Sequence, residues 1–467
     1  MQSSDLLASI QHVVVVMLEN RSFDHMLGLL YAAQGNVSPS GAAFDGLTGQ
    51  ESNLDASGAR DSVFNISAAT PNAYLMPGAD PGEGYANTNA QLFDAPQPPN
   101  PPAAKNSGFV KNFAAAITYD QQHGRSVVSG TTPKDIMGMF TPDALPVLSG
   151  LARGFAVCDR WFASAPTQTL PNRAFAAAAT SQGHMDDATH SFTAPSIFGA
   201  LTRKGVNWSI YGYNAEPLTR LTFSDTASAP NSHFGRFSDF TSAAKSGQLA
   251  AYVFLEPSWG STGNSEHPNY NVALGEQFIH DIYSALRSGS AWNQTLLVIT
   301  FDEHGGCYDH VAPPTNAVPP DASVGEFGFD FKRFGVRVPT VLVSPLIAPG
   351  TVFRAAGATP LDHTSILKTV ELRWGLNALT ARDAAAPDIG AVLTLATPRT
   401  DDPLANVVVP KAVDLGPAVG EVSHLQEVHA ELVARTVGEP VPATLRTPQE
   451  YDAFIENRTT EWKATRT

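Results

Sequence analysis

The chain has 467 residues, 43% of them hydrophobic, and a formal net charge of −15. This length suits one large domain or two to three ordinary ones with a sizeable core. The negative charge argues against a nucleic-acid-binding protein, which needs a basic face to displace phosphate counterions. It also argues against nonspecific docking on anionic membranes, while brief contact with neutral lipid stays open.

Two cysteines, Cys158 and Cys307, are too few for a disulfide framework and have no zinc-type spacing. A single bridge between them stays open. No window approaches the ~18 uncharged apolar residues of a membrane span. The chain begins without the basic and apolar regions of a signal peptide. We expect a protein that either stays in the cytoplasm or has lost an export signal, and the sequence does not separate the two.

Three runs rich in β-branched residues predict strands. His12–Met17 and Leu296–Thr300 resemble strands buried on both faces of a parallel sheet, and Val336–Ser344 is a third. Apolar stripes with a helical period lie in Gly275–Arg287, Leu145–Leu151 and Ile366–Trp374. This alternation of strands and helices predicts an α/β fold with a mainly parallel sheet.

Two stretches differ from the rest in composition. Residues 34–110 are rich in Gly, Ala, Asn and Pro, which predicts a long irregular insertion over the sheet edge. Residues 397–417 resemble a linker, and helical patterns follow at 422–437 and 448–465. We therefore expect a main domain at 1–397 that contains the insertion, and a linker with a C-terminal helical extension at 398–467.

Polar clusters follow the first two predicted strands. Glu19, Asn20 and Asp24 come after the first, and Asp302 and Glu303 after the second. The carboxyl ends of parallel strands meet at one edge of a sheet, so these groups should converge. Without a cation they would repel one another, and such oxygen ligands suit Ca²⁺, Mg²⁺ or Mn²⁺ better than Zn²⁺. A lone acidic pair is more often a helix cap, but two clusters of this kind favour a metal site.

The run FDEHGGCYDHV at residues 301–311 holds five Asp, Glu or His side chains around Gly305 and Gly306. Paired glycines allow close backbone approach or positive φ angles. His304 and His310 are candidate proton donors or phosphate ligands, because imidazole titrates near neutral pH. Either histidine alone would more often be a structural hydrogen-bonding residue.

Thr169 lies just before Pro171, at the start of an Ala-rich helical pattern. A hydroxyl at a helix N-terminus meets unpaired N–H groups, which favour a bound phosphate or a developing alkoxide. Arg173 and Asn172 are placed to grip phosphate oxygens. Taken alone, this pattern is more often a capping threonine beside a surface arginine. The rival hydroxyls nearby are Ser164 and Thr167.

At these residues the sequence resembles the phosphoesterase family of bacterial phospholipases C, plant non-specific phospholipases C and secreted acid phosphatases. The motifs that carry the resemblance are ENRSFDH (19–25), TLPNR (169–173), EHP (266–268), DEHGGCYDHV (302–311), RVP (337–339) and DHTS (362–365). Their order and spacing match over about residues 10–400. The CDRWFAS run (158–164) and the tail after RTDDP (399–403) are similar to the plant enzymes in particular.

The resemblance implies an alkaline-phosphatase-like fold, a three-layer α/β/α sandwich with one divalent metal ion in its active site. It implies four metal ligands: Glu19, Asn20, Asp302 and Glu303. Thr169 would be the nucleophile. His267, His304 and His363 would surround the phosphate, and Asn20 would also contact it. Arg173 and His310 are further candidates for phosphate binding from their own sequence contexts.

One segment departs from the family pattern. Family members usually carry a histidine in a DP-x-H segment near the phosphate, and the comparable stretch here is DPGEG at residues 80–84. Glu83 therefore stands where the histidine is expected. A carboxylate repels phosphate unless it is protonated or paired, so head-group preference or pH optimum should differ from other members.

The mechanism that the resemblance implies starts with attack of Thr169 on phosphorus. His304 or His363 would protonate the leaving alcohol, and water would then hydrolyse the phosphothreonine. The expected substrate is a glycerophospholipid cleaved in the phospholipase C manner. A small phosphomonoester, as for an acid phosphatase, stays open. For a lipid, Leu75, Met76, Tyr85 and Phe93 are candidates for an apolar rim, although they could equally pack the insertion onto the sheet.

Two further alternatives are weaker. A sulfatase or phosphonate hydrolase on the same fold generally needs Cys or Ser as nucleophile, whereas the motif here is T-x-P-N-R. A catalytically inactive binding protein would have lost a ligand or the nucleophile, and every expected one is present. The oligomeric state is left open.

Overall fold

The computed structural model describes residues 3–260, 262–268, 270–412 and 422–465. Its centre is an eight-stranded sheet. In spatial order the strands are Thr351–Val352, Ala156–Val157, Thr340–Val343, Thr295–Phe301, His12–Leu18, Tyr252–Glu256, Trp208–Gly212 and Phe234–Arg236. Within this sheet only Thr340–Val343 runs against the common direction. The sheet is therefore mainly parallel, as predicted.

The two strands predicted to be doubly buried lie side by side at the centre. His12–Leu18 pairs in parallel with Thr295–Phe301, with Leu18 opposite Phe301. Every residue of the second strand is buried, and all but His12 of the first. Because successive strand side chains point to opposite faces, helices must cover both faces of the sheet. This is the expected three-layer α/β/α arrangement.

The third predicted strand is shorter than expected. It covers Thr340–Val343 and is antiparallel to its neighbour Thr295–Phe301. Pro339 precedes it, and proline has no N–H to donate to a sheet. The segment before the proline makes only an isolated bridge, from Arg337 to Phe162.

Helices fill the connections between the strands. They are Ser3–Ser9, Phe23–Leu27, Tyr85–Phe93, Phe109–His123, Pro146–Gly154, Thr169–Ala178, Ile197–Lys204, Leu218–Thr222, Ser224–Ser228, Phe237–Ser246, Val272–Ser288, Thr364–Trp374, Ala381–Ala385, His424–Val437 and Pro448–Ala464. Each of the three predicted apolar stripes lies on one of these helices.

The insertion at 34–110 has little regular structure beyond short strands and the helix Tyr85–Phe93. The short strands are Ser52–Leu54, Arg60–Ser62 and Phe64–Ile66, the last paired with Gly138–Phe140. Outside the insertion, the short strands Trp161–Phe162 and Leu361–Asp362 also pair in parallel. Leu75, Met76 and Tyr85 are buried. These side chains therefore pack the insertion onto the body of the protein.

The C-terminal helices pack on each other and on the main body. His424–Val437 and Pro448–Ala464 share an apolar cluster with Leu170 and Trp259. The predicted linker is described up to residue 412, and its last residues, 413–417, lie outside the described part. Cys158 and Cys307 are both free and buried, so the bridge left open by the sequence is not formed. Among the described helices none has the length and apolarity to cross a membrane.

Candidate active site

The two acidic clusters meet where the central strands end. The backbone N–H of Asn20 donates to Asp302 Oδ1 at 3.0 Å. Asn20 has a φ of 57°, in the left-handed region. At this residue the loop after His12–Leu18 contacts the loop after Thr295–Phe301. A Cβ on Gly305 would lie 1.9 Å from the carbonyl oxygen of Asn20, and Gly305 and Gly306 have φ of 58° and 65°. The paired glycines thus serve close backbone approach and left-handed conformation together.

Thr169 is the first residue of its helix, and its hydroxyl reaches Asn20. The Thr169 Oγ1 atom donates to Asn20 Oδ1 at 3.0 Å. The next N–H of the helix, from Leu170, is already bound by Asp187 Oδ1 at 2.7 Å. Gln168, not Thr169, is the cap residue. The hydroxyl therefore points out of the helix toward the strand ends.

The rival hydroxyls are occupied by structural contacts. Ser164 Oγ donates to Asp362 Oδ2, and Thr167 Oγ1 donates to the carbonyl of Met185. Asn172 is occupied as well, since its side chain binds the backbone of the turn before the helix. A cleft opens beside these strand ends and is lined by Glu19, Asn20, Glu83, Thr169 and His267, among others. Of the three hydroxyls, only that of Thr169 lines this cleft.

Arg173 is turned toward Asp302. Its Nε and Nη2 atoms lie 3.0 and 2.9 Å from Asp302 Oδ2, and Nη2 also donates to the carbonyls of Met17 and Leu18. The guanidinium lies 4.6 Å from the ring centre of Trp259. Only Nη1 has no hydrogen-bond partner. The arginine thus holds Asp302, and it does not line the cleft in which the sequence placed a phosphate.

Buried carboxylate oxygens without hydrogen-bond partners are the feature of this site that suits a cation. Glu19 Oε2 and Glu303 Oε1 are buried and accept no hydrogen bond. Burial raises the pKa of Glu19 to about 7. Burial, with the nearby charges of Glu83 and Asp302, raises the pKa of Glu303 well above its usual range. Unpaired buried charge of this kind is costly and is relieved by a metal ion. These residues fit a hard divalent cation with oxygen ligands.

His267 lines the cleft. Its Nδ1 atom donates to the carbonyl of Pro268 at 2.9 Å, which leaves Nε2 as the nitrogen for other partners. The Nε2 atom lies 3.8 Å from Asp80 Oδ1. Asp80, Glu83 and His267 carry metal-ligand types of atom within 4.8 Å of one another. Of the predicted catalytic histidines, this one faces the cleft.

His304 and His363 are buried behind the cleft. His304 Nε2 lies 2.7 Å from Gln91 Oε1, and burial lowers the pKa of His304 to about 3. His363 Nε2 donates to the carbonyl of Asp302 at 2.6 Å, and burial lowers the pKa of His363. Burial therefore favours the neutral form of both imidazoles. His304 links the loop after Phe301 to Gln91, and His363 binds the backbone at Asp302.

His310 belongs to a different cluster. Its Nδ1 atom lies 2.6 Å from Asp24 Oδ2, and its Nε2 atom lies 3.4 Å from Asp45 Oδ1. Arg337 is fully buried in the same cluster and pairs with Asp24 at 2.8 Å and with Asp309 at 2.9 Å. His310 does not line the cleft, so the structure does not bring it to the predicted phosphate position.

Glu83 contacts the centre of the site directly. Its Oε2 atom accepts a hydrogen bond from Asn20 Nδ2, and its Oε1 atom accepts one from Gln168 Nε2 at 3.3 Å. Burial and the charges of Asp80 and Asp187 raise the pKa of Glu83 well above its usual range. The residue that departs from the family pattern therefore lies within the site.

The cleft has an acidic wall and a C-terminal wall that the sequence did not indicate. It encloses about 780 Å³. Asp80 and Asp187 line it, as do Ser423 and His424 from the C-terminal extension. His424 Nε2 is 2.9 Å from the carbonyl of Asp187. Asp80 lies in the DPGEG segment and could have been found there, but no local pattern marks the other three.

Comparisons with known proteins identify the family of this chain. The phosphoesterase family model matches residues 10–377. Non-specific phospholipase C3 of Arabidopsis thaliana is 36% identical over 432 residues, which cover 87% of this chain and 77% of that protein. Phospholipase C B of Mycobacterium tuberculosis is 28% identical over 447 residues, which cover 84% and 79%. The solved lipoteichoic acid synthase LtaP from Listeria monocytogenes has a TM-score of 0.34 and 13% identity, and the match covers 53% of this chain and 70% of that one. The chain belongs to the phosphoesterase family and is a hydrolase of phosphoric ester bonds.

Proposed function

We propose that this hydrolase cleaves glycerophospholipids in the phospholipase C manner and releases a phosphorylated head group. The observation that supports a nucleophile at this site is the bond from Thr169 Oγ1 to Asn20 Oδ1 at 3.0 Å, beside the unpartnered carboxylate oxygens. The names of the plant and mycobacterial relatives support a phospholipid as the substrate.

Glu19, Asn20, Asp302 and Glu303 would hold one divalent cation. When bound, it supplies positive charge that lowers the pKa of a neighbouring hydroxyl and offsets the charge of the phosphate. Arg173 keeps Asp302 in place through its ion pair at 2.9 Å. Asn20 contributes a neutral amide oxygen to the set.

Thr169 would carry the phosphoryl group. Its Oγ gives up its proton and attacks phosphorus as the bond from phosphorus to the glycerol oxygen breaks. A phosphothreonine ester forms, and the glycerol oxygen leaves with a proton as the alcohol. Water then attacks the same phosphorus and restores the hydroxyl. Both steps need a group that moves a proton to or from an oxygen in the cleft.

His267 is the histidine best placed to move that proton. It lines the cleft, and its Nδ1 donates to a backbone carbonyl, so its Nε2 is the atom that exchanges protons. His304 and His363 use both ring nitrogens for internal contacts. We therefore assign proton transfer to the leaving glycerol oxygen to His267 and a positioning role to the other two.

A phosphatase acting on small phosphomonoesters is the second candidate. The observation that favours it is the polar wall of the cleft together with the burial of Leu75, Met76 and Tyr85, which removes them as a rim for lipid chains.

One assay separates the two functions. Phosphatidylcholine vesicles, p-nitrophenyl phosphorylcholine and p-nitrophenyl phosphate are compared at the same pH and metal concentration. The proposal predicts release of diacylglycerol and turnover of the diester. Turnover of the monoester alone would decide for the phosphatase.

A further inference from the structure

The side-chain amide of Asn20 lies between a hydroxyl and a carboxylate. Its Oδ1 end accepts from Thr169 Oγ1 at 3.0 Å, and its Nδ2 end donates to Glu83 Oε2. Asn20 is 1% exposed and its backbone N–H is held by Asp302. The amide therefore has one buried neighbour, Thr169, and one partly buried neighbour, Glu83, and it could face them in either of two orientations.

The two neighbours differ in how strongly they select an orientation. A hydroxyl can donate or accept, so Thr169 tolerates either end of the amide. Both oxygens of Glu83 accept from amide N–H groups, Oε2 from Asn20 and Oε1 from Gln168, so Glu83 selects the orientation with Nδ2 toward itself. If the amide were reversed, its N–H would occupy a lone pair of Thr169 Oγ, and its oxygen would be withdrawn from Thr169. An N–H bond to this oxygen reduces its strength as a nucleophile.

Glu83 is itself held firmly. Its other oxygen accepts from Gln168, the residue before Thr169. The carbonyl of the preceding Gly82 accepts from Gln91 Nε2 at 2.5 Å, and the same Gln91 binds His304. Glu83 therefore sits on a loop that is braced against the ligand segment at Glu303–His304.

We propose that Glu83 is a positioning residue that fixes the amide of Asn20, so that Asn20 Oδ1 faces the hydroxyl of Thr169. This assignment rests on the proposed function for the role of Thr169. It gives a carboxylate in the cleft a task that needs no contact with phosphate, because the carboxylate is paired with the amide.

Three variants separate orientation from charge. Glu83→Ala removes the acceptor, and Glu83→Gln removes the charge but keeps an oxygen that can accept from Asn20 Nδ2. Asp80→Asn is the matched charge control, because it removes a carboxylate of the same wall and leaves the Asn20 contact in place. Glu83→Met fills the same space without an acceptor and replaces the alanine variant if that one unfolds on heating.

The kinetic readout uses p-nitrophenyl phosphorylcholine. We expect Glu83→Ala to lower kcat about tenfold, the size expected for loss of one buried hydrogen bond, with little change in KM. Glu83→Gln should keep kcat within about threefold of the wild type, as for a hydrogen bond that is retained. Asp80→Asn should lower kcat less than Glu83→Ala. Equal losses of kcat in the alanine and glutamine variants would overturn the proposal, as would unchanged kcat in the alanine variant.

A second readout does not depend on turnover. Binding of Mn²⁺ alone, measured by calorimetry, should weaken in Glu83→Ala and be restored in Glu83→Gln. In an Asn20→Asp background both side-chain oxygens accept, so orientation has no meaning and Glu83→Ala should weaken Mn²⁺ binding no further. Further weakening there would contradict the proposal. These Mn²⁺ affinities can be compared even if the wild type hydrolyses none of the three esters. Failure of the proposed function is therefore distinguished from failure of this inference.

Discussion

Arg173 and Asp302 form a buried ion pair behind the cleft, with Nη2 and Oδ2 at 2.9 Å. The carboxylate is fully buried and the guanidinium is 7% exposed. Asp302 also accepts the N–H of Asn20 and that of Glu303. Arg173, on the helix Thr169–Ala178, thereby orients the residue that joins the two acidic clusters.

Loss of Arg173 should cost both stability and metal binding. Arg173→Ala leaves Asp302 buried without its partner, which typically lowers the free energy of unfolding by about 3 kcal/mol or more. Arg173→Lys keeps the charge but not the fork of N–H groups, so its loss should be smaller. Urea unfolding of both variants measures this. Arg458→Ala, which removes surface pairs with Glu439 and Glu461, is the control and should change the free energy of unfolding only slightly, because surface ion pairs contribute little. An Arg173→Ala effect as small as the control's would show that the pair does not support the site.

An exposed apolar tip near the cleft should matter for lipid but not for soluble substrate. Val324 and Phe327 are 66% and 63% exposed, and the ring of Phe327 stacks on Tyr85 at 5.6 Å, two residues from Glu83. Single exposed apolar residues are common, but two on one turn, with Phe327 against the helix that begins at Tyr85, suit shallow insertion into a neutral lipid surface.

We expect the double change Val324→Ser and Phe327→Ser to weaken binding to phosphatidylcholine vesicles by at least about tenfold, since burial of even one large apolar side chain is worth ~1.5–3 kcal/mol and about 1.4 kcal/mol is tenfold. Vesicle sedimentation measures binding, and hydrolysis of p-nitrophenyl phosphorylcholine should stay unchanged. The control is Leu372→Ser, which changes an exposed apolar residue on a different element. Equal vesicle binding by the double variant and the control would show that Val324 and Phe327 do not contribute to lipid binding.

His310 should contribute to stability at neutral pH and lose that contribution in alkali. Burial disfavours its cation, but hydrogen bonds to Asp24 and Asp45 outweigh burial and raise the pKa of His310 to about 10. Its unfolded pKa is about 6.5. Between these values the folded state holds a proton that the unfolded state releases, so the free energy of unfolding falls as the pH rises. Below pH ~6.5 the stabilisation is fully present.

Denaturation of the wild type and His310→Gln at pH 6, 8 and 10 tests this prediction. The two proteins should differ most at pH 6 and least at pH 10. Turnover of the soluble diester should change little in the variant, because His310 lies in the cluster around Arg337. A large loss of kcat with unchanged stability would instead support the role in phosphate binding that the sequence suggested for His310.

The sequence predicted the parts of the site that depend on chain position. The central strands are recognisable from continuous apolar runs, so the residues directly after them, Glu19 and Asp302, could be placed at one sheet edge. The paired glycines at 305 and 306 were likewise expected to serve close approach or positive φ, and the structure has both.

Side-chain direction could not be predicted in the same way. Arg173 turns toward Asp302, and His304 and His363 are buried, because neighbours distant in sequence supply their partners: Gln91 for His304 and Trp161 for His363. The wall formed by His424 depends on packing of helices after residue 422. No local pattern reports such contacts.

The central claim is that Thr169 carries the phosphoryl group. The most direct measurement is acid quenching of the metal-loaded protein during turnover of p-nitrophenyl phosphorylcholine, followed by mass spectrometry of the peptide that contains residues 164–173. We predict a phosphoryl-type adduct on Thr169, with no adduct and no turnover in Thr169→Ala, whose metal content stays that of the wild type. An adduct on Ser164 or Thr167, or steady turnover by Thr169→Ala, would contradict the account.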